Sequence, residues 1–192
     1  MSQQAESQHQ SVDRMRMVAT ALVTGLVMAW LLFQYLNGGV SGHYLLRQKD
    51  LPFISNWWSG LLLPVLTWIL LGRVQKRLKS QSQINFVHIT ALFSGGMIAA
   101  LLISIAFHYD FKPFMDNVLY LFLLLSVVVP IFYSEFILGF ILGMTYTFGG
   151  ILPTAFILIV SSLGFILYRF VRPTLVRVVQ VLLGRSREAS SN

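Results

Sequence analysis

Two clusters of polar side chains stand out in a chain that is otherwise largely hydrocarbon. The first lies in the 24-residue segment Asn37–Gly60, which reads NGGVSGHYLLRQKDLPFISNWWSG. With Ser41 as cap and Pro52 as stop, a short helix can run to Asp50, because the residue before a proline avoids the α region. On that helix His43, Arg47 and Asp50 fall within about 60° of one another at 100° per residue. The second cluster is His108, Tyr109 and Asp110, followed by Lys112 and Asp116.

Imidazole nitrogens and carboxylate oxygens can bind zinc or iron, and they can also move protons. His43, Asp50, His108 and Asp110 are therefore the candidate catalytic groups. His43, His108, Asp110 and Asp116 are the candidate metal ligands. Both assignments require the two clusters to converge. The simpler alternative is an Arg47–Asp50 pair at i,i+3 beside a solvated histidine, and such exposed pairs contribute little. No HExxH or HxxxH spacing strengthens the metal reading.

Arg47, Asn56, Trp57 and Trp58 make a third set, as candidate ligand or interface residues. Adjacent tryptophans at the start of a span, with Tyr44 and Tyr109, have the composition of an aromatic belt, since amphipathic rings prefer the headgroup level. Anchoring is the default reading, and the alternative is an aromatic wall for a lipid or other apolar ligand.

Other chemistries lack their residues. There is no G-x-S-x-G elbow, no P-loop, no Asp-rich phospholipid-synthase motif, and no intramembrane Ser–His pair. Cysteine is absent, which excludes disulfides, a thiolate zinc site and a Cys nucleophile. No Asp, Glu, Lys or Arg falls near the middle of an apolar block, where coupled transporters and retinal proteins need ionisable groups.

The elements that must position these residues are set by composition. Hydrophobic residues make up 56% of 192 positions and charged residues 11%, with mean hydropathy +0.71. A soluble domain carries about 25% charged residues. The apolar residues form six blocks, Met17–Leu36, Phe53–Leu71, Phe86–His108, Val118–Tyr133, Phe136–Phe148 and Ile151–Phe170. A span needs roughly 20 residues. The fourth and fifth blocks are short, and the fifth needs bilayer thinning or cover from its neighbours.

Charge placement orders the blocks. Arg14, Arg16, Arg73, Lys76, Arg77, Lys79, Arg169, Arg172, Arg177, Arg185 and Arg187 share one side if the chain crosses six times, and Arg47, Lys49 and Lys112 the other. The net charge of +7 is thus a positive-inside signal, with both termini cytoplasmic, rather than a nucleic-acid signature. It also fits anionic lipids at the cytoplasmic face. An uncleaved first span and the absence of any N-x-[ST] sequon suit a bacterial inner membrane.

The expected fold is an all-α bundle of six transmembrane helices with a short outer interfacial helix. Residues 1–13 are expected as a disordered polar tail, 14–172 as the membrane domain, and 173–192 as a cytoplasmic amphipathic helix and tail. Pro64 should kink the second span. Small residues recur every four positions at Ala21, Gly25 and Ala29, at Ala91, Gly95 and Ala99, and at Gly139 and Gly143, which predicts close packing within the bundle. His88 and Glu135 are expected at span boundaries.

The function that fits best is a non-enzymatic membrane protein that binds an apolar ligand or a membrane partner through its outer loop. A metal-dependent hydrolase or lipid-modifying enzyme on the His/Asp clusters is one alternative. A structural subunit, alone as a homo-oligomer or with another membrane protein, is the other.

Overall fold

The computed structural model describes residues 2–40, 42–44, 53–80 and 86–189. Helix dominates, as it must where the lipid offers backbone groups no hydrogen-bond partner. The elements are α1 (Ser2–Leu36), β1 (Gly42–Tyr44), β2 (Phe53–Ser55), α2 (Trp57–Ser80), α3 (Phe86–His108), α4 (Lys112–Met115), α5 (Val118–Val128), α6 (Ser134–Phe148) and α7 (Ile151–Ala189). Four helical stretches are long and apolar enough to cross a membrane: Asp13–Leu36, Trp57–Ser80, Phe86–His108 and Ile151–Thr174. Helices α5 and α6 are shorter, at 11 and 15 residues.

Helix α6 sits at the centre. Of its 15 residues only Tyr146 is exposed, and Phe140 and Ile141 are fully enclosed. Its closest neighbour is α3. A Cβ on Gly96 would collide with the Phe136 carbonyl oxygen, and one on Gly139 with the Phe93 carbonyl oxygen. Only paired glycines let two backbones approach so closely, and that approach yields the dispersion contacts that hold helices together in lipid. Phe122, Phe140 and Phe156 join α5, α6 and α7, with ring centroids 5.4, 5.7 and 5.9 Å apart. Surrounded in this way, α6 needs little lipid-facing length of its own.

Helix α1 is peripheral and leans on α2. The Arg16 guanidinium lies 3.7 Å over the Trp68 ring, and its Nε donates to the Trp68 carbonyl oxygen at 3.0 Å. At the other end of the pair, Leu31 and Met28 pack over Gly60.

Several expectations are corrected. The helix foreseen from Ser41 to Asp50 is not formed over Gly42–Tyr44, which instead pair antiparallel with Phe53–Ser55, placing His43 opposite Ile54. Tyr, Phe and Ile favour strands, and a partner strand outweighs a local cap. Residues 45–50 lie outside the described residues. The polar tail is helical from Ser2, in keeping with its Gln, Glu and Ala. No break occurs at Pro173, because α7 runs through it. Proline costs one donor there, and Thr174 Oγ1 supports the same turn by donating to the Phe170 carbonyl at 3.3 Å. Helix α2 keeps Pro64 inside one continuous element, which is compatible with the kink expected there.

The small-residue ladders divide. Gly139 and Gly143 pack inside, as expected; on α3 the buried row is Leu92, Gly96 and Ala100, Gly95 and Ala99 pack at its edge, and Ala91 is exposed. On α1, Ala21, Gly25 and Ala29 are exposed, and no neighbour lies within 4 Å of a Cβ built on Gly25. That ladder takes no part in packing among the described residues.

Candidate functional site

Two polar contacts fix α6 against α2 and so shape what lies between them. At one end Arg77 and Glu135 form an ion pair inside the bundle, with side-chain exposures of 18% and 3%. The Arg77 guanidinium also lies 3.9 Å from the centre of the Tyr133 ring. At the other end the Gly150 N–H donates to Ser59 Oγ at 2.8 Å. Gly149 turns the chain there with φ +71°, a conformation that favours glycine, and a Cβ on it would strike Asn56 Oδ1. Helices α2 and α6 therefore run antiparallel, tied near both ends.

Beside this frame, α1 stands off from α3 and α6 and leaves a half-open groove of about 320 Å³. Val27 and Leu31 line it from α1, Leu63 from α2, Met97 from α3 and Leu142 from α6. Polar side chains are few: Asn56 and Ser59 at the start of α2, and Thr145 and Tyr146 near the end of α6. They gather towards the Gly149–Gly150 turn. No charged residue lines the groove. Its volume is at the lower end of the range for small-molecule sites, and its apolar walls with a few polar groups match their usual make-up.

Trp30, on α1, also lines this groove. Its ring stacks on Phe33 at 5.6 Å and tilts against Tyr146 at 5.0 Å. Its Nε1 is buried, with no hydrogen-bond partner among the described residues. A second, smaller cavity of about 140 Å³ lies among α3, α4, α5, α6 and α7, and only apolar residues line it.

The residues singled out from sequence are placed unevenly. Asn56 is half-buried beneath Gly149 and belongs to the groove. Trp57 and Trp58 are exposed on the first turn of α2, and Trp57 faces the Tyr35 ring at 6.4 Å. His108, at the end of α3, is exposed and meets Tyr109 edge-on at 5.3 Å. Asp110 is exposed at φ +50°, and Asp116 is exposed between α4 and α5. Arg47 and Asp50 lie outside the described residues, and only the backbone of His43 is described. Among the described residues no three His, Asp or Glu side chains group as a metal site. The end of α3 does reach the same end of the bundle as Asn56, because Phe107 packs edge-on against Phe148 at 4.6 Å, one residue before Gly149.

Sequence alone does not single out Trp30, Ser59, Tyr146, Arg77 or Glu135 for these roles. Trp30 resembles any apolar span residue, and Ser59 any small one. Arg77 was read only for topology, and Glu135, expected at a turn, is the buried partner of that arginine. The last pair had one legible signal, an acidic residue beside a long apolar run.

Comparison with known protein families, with curated proteins and with solved structures gives no match for this chain.

Proposed function

We propose that this protein is a non-enzymatic, six-pass membrane protein that binds an apolar ligand from the bilayer in the groove between α1 and α6. The observation that carries the reading is the groove itself: uncharged, apolar over most of its wall, and polar only near one end. A chain-bearing molecule matches that pattern, with its hydrocarbon along Val27, Leu63 and Leu142 and its polar part beside Asn56 and Ser59. This replaces the outer loop with an intramembrane surface and keeps Asn56 as a contact.

Six passes are supported by the chain's alternation. Arg77–Glu135 and Ser59–Gly150 tie α6 alongside α2 between Ser59 and Arg77, which supports reading α6 as a short span. Cover from α2, α3 and α7 offsets its shortness. Lys112 to Val128 adds a returning segment of about 25 Å if α4 and α5 are taken together. The charge bias then favours both termini in the cytoplasm of a bacterial cell, with anionic lipid around the basic ends. A reporter fused after Asn192 that proved periplasmic would overturn that orientation.

The binding reading is tested by extracting what co-purifies with the protein after exchange into mild detergent. Wild type should retain a chain-bearing molecule at about one per protein, and Val27→Phe, which fills the groove, should lose it. Equal retention by both would refute the proposal.

A further inference from the structure

We infer that the seam between α1 and α2, at its basic end, is a binding site for the phosphate of a net-anionic phospholipid. The Arg16 guanidinium is its centre, and Lys76 and Lys79 are its supporting charges. The site shares no residue with the groove lining. It narrows the general contact with anionic lipid to one place, and it requires only that the chain lies in a bilayer.

Arg16 is held in a fixed pose. Its Nε donates to the Trp68 carbonyl oxygen at 3.0 Å, and its Cζ lies 3.7 Å over the Trp68 ring. The head of the side chain rests on Gly72, where a Cβ would lie 2.8 Å from Nη2 and 3.2 Å from Nη1. These contacts orient the guanidinium plane yet use only one of its five N–H donors. Nη1 and Nη2 have no hydrogen-bond partner among the described residues. They are also accessible, since Arg77 Nη1 is the one arginine nitrogen there that is both enclosed and unpaired. The two arginines differ in charge balance as well. Arg77 pairs with Glu135, the one ion pair among the described residues, and Arg16 is left without a counter-charge. Asp13, three residues earlier on α1, is exposed and makes no ion pair with it.

Neighbouring charge selects the anion. At 100° per residue, Lys76 and Lys79 fall within about 40° of Gly72 on α2, whereas Arg77 falls about 140° away, towards α6. Both lysines are exposed. The helix face that carries the Arg16 guanidinium therefore continues into two ammonium groups. A guanidinium edge offers parallel N–H donors that match two phosphate oxygens. A headgroup with its own ammonium, such as choline, brings a like charge to this stripe, and a glycerol headgroup does not. Arg16 lies near the start of the Asp13–Leu36 span, and Gly72 directly precedes Arg73, the first cation of α2. That puts the seam at the edge of the hydrocarbon layer, within reach of lipid phosphates.

The test titrates delipidated full-length protein in detergent with dioleoylphosphatidylglycerol or dioleoylphosphatidylcholine, and counts bound lipid by native mass spectrometry. Wild type should hold the first phosphatidylglycerol about tenfold more tightly than phosphatidylcholine, and Arg16→Gln should lose that preference. Arg73→Gln removes the same charge from an exposed site off the stripe, and should change the preference by less than about twofold. Because Arg16→Gln also removes a tie between α1 and α2, Gly72→Ala gives a second readout. All charges remain, but the methyl displaces the guanidinium from its seat, and the preference should fall several-fold. No preference in wild type, equal loss in Arg16→Gln and Arg73→Gln, or no change in Gly72→Ala would overturn the inference. Millimolar inorganic phosphate should fail to displace the lipid; displacement would make a free anion the ligand and overturn the lipid assignment. None of these outcomes bears on the groove, whose occupancy is read separately with Val27→Phe.

Discussion

Arg77 near the end of α2 and Glu135 at the start of α6, 58 residues apart in sequence, form an ion pair within the bundle. Charges removed from water on both sides are tolerable only together, and the loss of one leaves the other stranded. Glu135→Ala should therefore destabilise the protein by about 3–5 kcal/mol. The double variant Arg77→Met with Glu135→Leu should recover most of that loss. Denaturant unfolding in detergent, followed by far-UV circular dichroism, measures both. A single variant as stable as wild type would show that the pair contributes nothing.

The glycine contacts predict opposite outcomes for one chemical change. Gly139→Ala drives a methyl into the Phe93 carbonyl oxygen and should cost about 1–3 kcal/mol. Gly25→Ala meets nothing within 4 Å and should be neutral or stabilising by up to about 1 kcal/mol through helix propensity. Thermal unfolding of the two variants side by side decides it. Equal effects would contradict the packing described for α3 and α6.

With the groove as functional centre, the histidines are not required to hold a metal. Purified protein should carry no zinc or iron above background, and His43→Ala with His108→Ala should leave ligand retention unchanged. Elemental analysis alongside lipid extraction checks both halves. Stoichiometric metal lost in the double variant would instead favour the hydrolase reading on His43, Asp50, His108 and Asp110.

What could be read from sequence follows from the range of the forces involved. The four long spans are properties of contiguous residues, and hydropathy finds them. Which helix stands at the centre is not, because the Ser134–Phe148 run is no more apolar in kind than its neighbours. Its burial comes from Gly96 meeting the backbone of Phe136 and Phe140, and Gly139 that of Phe93, across different helices. The same limit hid the helix face of α3: Gly95 and Gly96 are adjacent, and only the partner shows that Gly96 meets backbone while Gly95 meets the Phe136 ring. Local logic also misread Gly42–Tyr44, where pairing with Phe53–Ser55 overrides a cap at Ser41.

The candidate site was legible in one residue. Asn56 was marked by its place before the tryptophans, and it lines the groove. Ser59, Trp30 and Tyr146 were not, since each reaches the groove through contacts made across helices.

The central claim, that the groove between α1 and α6 is a binding surface rather than a gap filled by bulk lipid, is tested most directly by mapping where a photoactivated alkane reacts. Label on peptides containing Val27, Leu63 and Leu142 should exceed that on the exposed Leu124 of α5, and should be suppressed selectively by Val27→Phe. Uniform labelling of all lipid-facing residues, unchanged in that variant, would contradict the account.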